Sequence, residues 1–229
     1  MIDILEYMVP KQALNPAAFH LAVAGAGGQP LFTIQEGNVI CDMKGAGGFP
    51  WDINTFDEEF IYQSITEVDW ETPTTFKMFA STSRTTGNGG IVWAPRFVNR
   101  PGFNPPIVTA DSTYRTYSAC GTYTTSNLGG PVMTQVEGPY SINFGGTIGQ
   151  QSALIQKYFW GWKASLPMIQ QPGYLNMEVN YYVIGLGHVQ WELHTLVNGL
   201  YTLQQTSAFN TKVSGGAPGL VFPCGIPTI

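Results

Sequence analysis

Apolar and polar residues alternate with a period of two along much of the chain. In the segment 56–70 the even positions carry large apolar side chains, namely Phe60, Tyr62, Val68 and Trp70. The C-terminal third repeats this pattern over 175–183 and 188–197. Because successive side chains of a strand point to opposite faces of a sheet, the alternation predicts half-buried β-strands.

Glycine and proline mark the turns between these segments. Asn198-Gly199 predicts a two-residue hairpin, because both central positions of the favoured turn need a positive φ. Four prolines between positions 95 and 110 predict a long ordered loop or an edge segment. No segment keeps a helical period for more than about two turns. The chain is therefore predicted to be all-β, with two antiparallel sheets packed as a β-sandwich.

Composition narrows the classes of function. Charged residues make up 11% of the 229 residues, and the formal net charge is −5. With only ten Lys and Arg residues, the chain lacks the clustered cations that nucleic-acid binding needs. It has no apolar run long enough for a transmembrane helix, and the segment 1–12 lacks the pattern of a signal peptide. We therefore expect no nucleic-acid or membrane partner, and a location on a virion surface or outside the cell.

The order of strands and turns resembles the concanavalin A-like lectin and glucanase jelly roll, especially its laminin G-like branch. The resemblance rests on the strand FIYQSITEVDW, on GGIVW after a glycine turn, and on SGGAPGLVF after the last hairpin. It covers the segments 50–94 and 155–224. It implies a jelly-roll domain over 50–229 with a long insertion at about 95–154. The segment 1–49 would then be an N-terminal arm and first strands that pack on the sandwich.

One acidic string raises the question of catalysis. Glu67-Val-Asp69-Trp-Glu71 is similar to the E-x-D-x-E strand motif of laminarinase-like glycoside hydrolases, which share this jelly roll. That likeness implies a nucleophile at Glu67 and an acid/base at Glu71, with Asp69 between them. On a regular strand these two carboxyl groups lie about 13 Å apart, whereas a retaining enzyme needs about 5 Å, so a bulge would be required. We expect an ordinary solvated strand face and no catalytic residue, and keep the hydrolase as an alternative.

Two groups of side chains later in the chain are candidates for binding. Tyr158, Trp160 and Trp162 would either form a platform that stacks on sugar rings or lie in the core, and we predict them as carbohydrate-binding residues. His188 shares one face of a predicted strand with Glu192 and His194. These three residues are expected at the surface or at an interface, because the two histidines lie too far apart along the strand for one metal.

No cofactor or metal is predicted. The cysteines Cys41, Cys120 and Cys224 form no CxxC pair and lie far from the histidines in the sequence. They are expected to be thiols, with one disulfide as the alternative. The acidic residues Asp52 and 57–59 could hold a hard cation, but their spacing matches no defined calcium loop.

Three classes of function remain. The low charge favours a non-enzymatic structural or adhesive surface protein, such as a phage capsid decoration or fibre component that self-associates or docks on a larger protein shell. The aromatic residues and the jelly-roll likeness favour a lectin-like module that binds glycans, and the string 67–71 favours a hydrolase. The apolar ends MIDILEYMV and GLVFPCGIPTI would be exposed patches on a free monomer, unless they fold back onto their own sandwich. The surface structural protein is the leading hypothesis.

Overall fold

A computed structural model describes most of the chain. The described residues are 1–9, 17–22, 29–44, 49–66, 75–81, 90–98, 102–109, 112–119, 121–127, 130–146, 148–163 and 173–214. The acidic string 67–71, Cys120 and the apolar tail with Cys224 therefore lie outside the described residues. Within these ranges, no helix has the length and apolar character needed to cross a membrane.

The described ranges form β-strands almost throughout, with one short helix, α1 (Leu5–Met8). The strands are β1 (Ile2–Asp3), β2 (Ala17–Ala22), β3 (Gln29–Glu36), β4 (Val39–Lys44), β5 (Phe49–Phe56), β6 (Phe60–Thr66), β7 (Phe76–Ser81), β8 (Ile91–Pro95), β9 (Phe97–Val98), β10 (Gly102–Phe103), β11 (Ile107–Thr109), β12 (Ser112–Ala119), β13 (Thr122–Asn127), β14 (Val132–Asn143), β15 (Gln150–Trp162), β16 (Tyr174–Val183), β17 (Gly187–Val197) and β18 (Leu200–Ser214). The prediction of an all-β sandwich is confirmed.

Most strands follow one another in a continuous antiparallel arrangement. Its order is β10-β14-β15-β16-β17-β18-β2-β3-β4-β5-β6-β7-β12-β13, with β11 paired to β14 and β8 paired to β6. The strands β1 and β9 form a separate two-stranded ladder. The predicted hairpin at the tip of β17 and β18 is confirmed, since Asn198 has a φ of 52° and Gly199 a φ of 81°.

The arrangement folds back on itself, so that β6–β8 pack against β14–β16. Apolar side chains from both layers fill the space between them: Ile61, Phe79 and Ile91 from the first layer, and Val136, Leu154 and Tyr158 from the second. A polar contact also joins the layers, because the Thr134 hydroxyl on β14 donates a hydrogen bond of 2.5 Å to the Trp93 carbonyl on β8.

The pairing is interrupted by several β-bulges. Three of them leave Ser64 on β6, Trp93 on β8 and Val189 on β17 unpaired. An extra residue shifts the alternation of the strand by one, so that two residues three positions apart share a face. The faces of β6 and β17 therefore cannot be read from a simple period of two.

The N-terminal segment packs on its own chain. Ile4, Tyr7 and Met8 are buried in the same core cluster as the two layers. The backbone is fixed as well, since the Ile4 N–H donates to the Arg96 carbonyl at 2.9 Å and the Gly185 N–H donates to the Glu6 carbonyl at 3.1 Å. Of the two alternatives for this end of the chain, the structure shows the segment folded back onto its sandwich. The domain boundaries at 49 and 95–154 stay a prediction.

A second apolar cluster forms where β14, β15 and β16 lie side by side. Met133, Phe159 and Tyr174 are buried there, and Tyr201 of β18 packs against them. The Tyr201 hydroxyl donates a hydrogen bond to the Tyr174 carbonyl at 2.9 Å. Burial raises the pKa of the Tyr174 hydroxyl to about 12 and that of Tyr201 to about 12.

Truncation of the buried N-terminal isoleucine tests the docking of this segment. Ile4→Ala is expected to lower the free energy of unfolding by about 2–5 kcal/mol, because Ile4 is only 2% exposed. Urea denaturation measures the change, with Met1→Ala as the control, since Met1 is 85% exposed. Equal stability of the two variants would contradict the docking.

The tyrosine cluster predicts a loss of stability in alkali. Tyrosines ionise near pH 10 in the unfolded chain, whereas Tyr174 and Tyr201 keep their protons in the folded chain until about pH 12. Their contribution is therefore complete below about pH 10 and is lost as the pH rises toward about 12. Urea denaturation between these pH values is expected to show this decline, with a shallower slope in Tyr201→Phe. An identical slope in that variant would contradict the prediction.

Candidate functional site

A polar pocket of about 160 Å³ lies between the layers of the sandwich. The described residues that line it come from β4, β5, β6, β8, β16 and β17, and they are Asp42, Asp52, Asn54, Gln63, Thr66, Trp93, Glu178, Asn180, Tyr182, His188 and Trp191. A cavity of about 150 Å³ is large enough to bind one benzene molecule. The pocket therefore has room for one six-membered ring.

The bulge on β6 brings two polar side chains into the pocket. Gln63 and Thr66 are three positions apart, so a regular strand would turn them to opposite faces. The unpaired Ser64 between them shifts the alternation, and both side chains line the pocket. The Ser64 hydroxyl itself hydrogen-bonds with that of Thr55 at 3.0 Å.

The bulge on β17 moves His188 away from its predicted position. The alternation in the sequence groups His188 with Glu192 and His194 at a surface or interface, but His188 is 5% exposed and lines the pocket. The unpaired Val189 puts it on the same face as Trp191. Its ring packs against that of Tyr182, with 5.0 Å between the ring centroids.

Glu192 and His194 stay together on the other face of β17. The His194 Nε2 lies 2.8 Å from the Glu192 Oε2. Tyr181 of β16 also faces Glu192, and burial, reinforced by this carboxylate, raises the pKa of the Tyr181 hydroxyl well above its ordinary value. The predicted set of three residues is thus divided between the two faces of the strand.

Two aspartates of the pocket lie directly opposite one another on β4 and β5. Asp42 and Asp52 are cross-strand partners. The Thr33 hydroxyl donates to Asp42 at 2.6 Å, and the Thr66 hydroxyl donates to Asp52 at 2.6 Å. The two carboxyl groups are therefore brought side by side in the lining of the pocket.

The third carboxylate of the pocket is held between two indoles. The Trp160 Nε1–H donates to Glu178 Oε1 at 3.0 Å, and the Trp191 Nε1–H donates to Glu178 Oε2 at 2.9 Å. An indole can only donate, so these bonds fix both oxygens as acceptors. They also fix the plane of the Trp191 ring that lines the pocket.

Trp93 and Tyr182 join the lining of the pocket to the core of the sandwich. Both belong to the core cluster of the sandwich, and the Trp93 Nε1–H donates to the Tyr182 hydroxyl at 3.2 Å. Burial, reinforced by the nearby aspartate and glutamate charges, raises the pKa of the Tyr182 hydroxyl well above its ordinary value, and the bond from Trp93 acts in the opposite direction. The phenol is therefore neutral at physiological pH.

Gln156 does not line the pocket but hydrogen-bonds to two residues that do, Trp93 and Asn180. It is 2% exposed, and its amide nitrogen donates to the Trp93 carbonyl at 3.0 Å and to the Thr134 hydroxyl at 2.9 Å. Its oxygen accepts a hydrogen bond from the Asn180 side chain at 2.9 Å. Gln156 thus fixes the positions of Trp93 and Asn180 together.

One buried atom of the pocket lining has no hydrogen-bond partner within the described part of the chain. Asn54 is 3% exposed, and its Oδ1 is unpaired. A buried acceptor left without a partner costs about 1–3 kcal/mol. Since nearly all buried polar groups in folded proteins are paired, a donor inside the pocket, either a water molecule or a ligand hydroxyl, would complete this bond.

The predicted carbohydrate-binding residues occupy three different environments. Tyr158 is 5% exposed and packs against Trp93 with 5.3 Å between the ring centroids. Trp160 is partly buried and bonds to Glu178. Trp162, which is 37% exposed, lies at the end of β15. None of the three is among the residues that line the pocket, so their role in sugar binding stays a prediction that competes with the pocket.

The described His, Cys, Asp and Glu side chains show whether a metal site is present. The described ranges contain no group of three or more His, Cys, Asp or Glu side chains that could hold a metal ion. Asp57, one of the acidic residues weighed for calcium, instead caps a turn, since its Oδ1 accepts from the Glu59 and Phe60 N–H groups at 2.8 Å each. Its Oδ2 accepts from the Tyr62 hydroxyl at 2.8 Å.

Removal of the supporting amide is expected to destabilise the fold. Gln156→Leu should lower the free energy of unfolding by about 1–3 kcal/mol, because its buried partners lose their hydrogen bonds. The matched control is Gln204→Leu, since Gln204 is an exposed glutamine that bonds only to the Thr202 carbonyl among the hydrogen bonds described. Urea denaturation measures both changes, and equal values would contradict the supporting role.

A comparison with known protein families, with curated proteins and with solved structures finds no match to this chain.

Proposed function

We propose that this chain is a non-enzymatic surface protein with a lectin-like, concanavalin A-like β-sandwich whose pocket binds one ring of a saccharide. The observation that carries the proposal is a ring-sized pocket that combines aromatic walls with carboxylate and amide groups. A sugar ring has apolar faces and a rim of hydroxyl groups. Trp93, Trp191 and Tyr182 suit the faces, and the polar side chains suit the rim.

A glycoside hydrolase is the competing assignment for a pocket with several carboxyl groups. Such an enzyme needs one carboxylic acid that donates a proton and a second carboxylate that attacks or activates water. In this pocket Asp52 accepts from Thr66, and Glu178 accepts from two indoles. Groups held as acceptors suit the binding of sugar hydroxyls, which supports a binding protein. The motif Glu67, Asp69 and Glu71 lies outside the described residues.

Replacement of a pocket tryptophan tests the proposal. Trp191→Ala removes one aromatic wall and one donor to Glu178, so glycan affinity is expected to fall at least about tenfold, or about 1.4 kcal/mol. Isothermal titration with the tightest ligand found on a printed glycan array measures the change.

The matched control for this experiment is Trp162→Ala. Its side chain lies at the end of β15 and does not line the pocket, so affinity is expected to stay unchanged. Loss of binding in Trp162→Ala but not in Trp191→Ala would show that the glycan binds at the aromatic residues of β15 and would contradict binding in the pocket. Mass spectrometry of the bound glycan adds a second control, since release of shorter products would contradict the non-enzymatic part.

A structural role on a larger assembly is the second candidate, and the tip of the β17–β18 hairpin favours it. Val197 and Leu200, which are cross-strand partners on one face of the hairpin, are 46% and 74% exposed. Clustered apolar side chains at a protein surface usually mark contacts, and the low charge of the chain offers little repulsion between copies. We propose that this tip mediates self-association or docking on a shell, on a virion or outside a cell. Sugar binding and assembly are compatible.

Polar substitution of the hairpin tip tests this second role. The double variant Val197→Ser, Leu200→Ser is expected to form smaller particles than the unmodified chain in size-exclusion chromatography with light scattering. Val108→Ser is the control, because Val108 is 55% exposed on β11, away from the hairpin in the sequence. An unmodified chain that is monomeric at all concentrations tested would contradict self-association.

A further inference from the structure

We infer that the pocket selects its sugar ring by charge, in favour of an amino sugar with a protonated amine and against a uronic acid, an inference that rests on the proposed binding of a saccharide. Three carboxylate side chains, Asp42, Asp52 and Glu178, belong to the described lining. That lining contains no lysine or arginine, and His188, even when protonated, carries one positive charge against three negative ones. A ring that brings a further negative charge is therefore repelled.

The hydrogen bonds of these carboxylates favour their charged forms. Asp42 accepts from the Thr33 hydroxyl at 2.6 Å. Asp52 accepts from the Thr66 hydroxyl at the same distance of 2.6 Å. Glu178 accepts from two indole N–H groups. These donors are themselves uncharged, and a hydrogen bond donated to a carboxylate stabilises its negative charge, so the bonds leave that charge in the pocket.

The three negative charges act together at one point of the pocket, the Tyr182 hydroxyl. Burial raises the pKa of this hydroxyl, and the charges of the three carboxylates raise it further, while the hydrogen bond from Trp93 lowers it. A negative potential that opposes the ionisation of a phenol also opposes the entry of a carboxylate and favours an ammonium group. The pocket is therefore electrostatically suited to a cation.

An independent observation indicates a ligand with hydrogens to donate. Asn54 lines the pocket and is 3% exposed, and its Oδ1 has no hydrogen-bond partner among the described residues. An amide oxygen can only accept a hydrogen bond. The ammonium group or a hydroxyl group of a sugar can complete this bond, whereas a carboxylate group has no hydrogen to donate.

The aromatic side chains of the lining also favour a cation over an anion. Trp93, Tyr182 and Trp191 line the pocket. The face of an aromatic ring carries partial negative charge and attracts an ammonium group within about 6 Å of the ring centroid. Carboxylate, amide and aromatic groups thus favour the same charge on the ligand.

Competition by three matched sugars tests the inference. The methyl glycosides of a hexosamine, of the corresponding hexose and of the corresponding hexuronic acid compete with the tightest ligand found on the glycan array, in the gluco, galacto and manno series. The measurements are made at about pH 6, where an amine is protonated and a carboxyl group is ionised. In each series that competes, the hexosamine is expected to bind at least about tenfold more tightly than the hexuronic acid, with the hexose between them.

Neutralisation of one carboxylate tests its part in this selection. Asp52→Asn keeps an oxygen that can accept from Thr66 and removes one negative charge, so the ratio of hexosamine affinity to hexuronic acid affinity is expected to fall at least about threefold. Asp42→Asn is the second variant, in case Asp52→Asn does not fold. The matched control is Glu58→Gln, because Glu58 is exposed and does not line the pocket, and the ratio is expected to stay unchanged. Near-ultraviolet circular dichroism checks the fold of each variant.

The outcomes separate this inference from the proposed function. A hexuronic acid that binds as tightly as the hexosamine, or more tightly, overturns selection by charge and leaves saccharide binding in place. A ratio that is unchanged in a folded aspartate variant overturns the assignment to the carboxylates of the pocket. A chain that binds a glycan while none of the three sugars competes in any series also overturns the inference. If the unmodified chain binds no glycan on the array, the proposed function fails, and the inference fails with it.

Discussion

Hydrogen bonding of polar groups enclosed between two β-layers is the constraint on which the rest of this structure depends. The interior of a β-sandwich is normally filled by apolar side chains from both inner faces. Here one part of the interior is apolar, around Ile61 and Leu154, and another part carries aspartate, glutamate, asparagine and glutamine. Each of these groups must find a partner or pay the cost of burial. Gln156 meets this requirement with three hydrogen bonds.

The backbone adapts to the same constraint. A regular strand that buries one polar side chain turns the residue three positions away to the other face. The bulges at Ser64 and Val189 remove that limit, so that β6 and β17 each present two side chains to the pocket from positions three apart. Bulges are common beside functional sites because they redirect side chains in this way. The irregular pairing and the polar pocket thus have a common physical origin.

The regular features of the fold could be predicted from the sequence, and the pocket could not. The hairpin at Asn198-Gly199 followed from turn chemistry, and the all-β class followed from alternation and the absence of helical periods. His188 was placed on the wrong face because a bulge leaves no mark in the sequence that propensity or periodicity detects. Trp93 and Trp191 each lie in an alternating strand, and an aromatic side chain there has the same sequence pattern whether it packs on leucine or lines a pocket.

The pocket also joins residues that are distant along the chain. Asp42 and Glu178 come together only because the continuous arrangement of strands folds back on itself. Each residue is a single polar residue in a strand with an otherwise regular pattern, so the sequence around neither of them indicates a binding site. By contrast, the aromatic run at 158–162 is evident as a candidate binding site from the sequence alone. In the structure, Tyr158 lies in the core, Trp160 contacts a carboxylate, and Trp162 lies at an exposed strand end.

The free energy of unfolding of Asn54→Leu tests most directly whether the polar pocket exists for a ligand. The oxygen of Asn54 has no partner in the described part of the chain, so its replacement by an apolar side chain of similar shape should leave stability unchanged or raise it by about 1 kcal/mol. Asn180→Leu is the matched control, because Asn180 donates to Gln156 and its loss should cost about 1–3 kcal/mol. An Asn54→Leu variant destabilised as much as Asn180→Leu in urea would show that Asn54 is a structural residue, and would contradict the account.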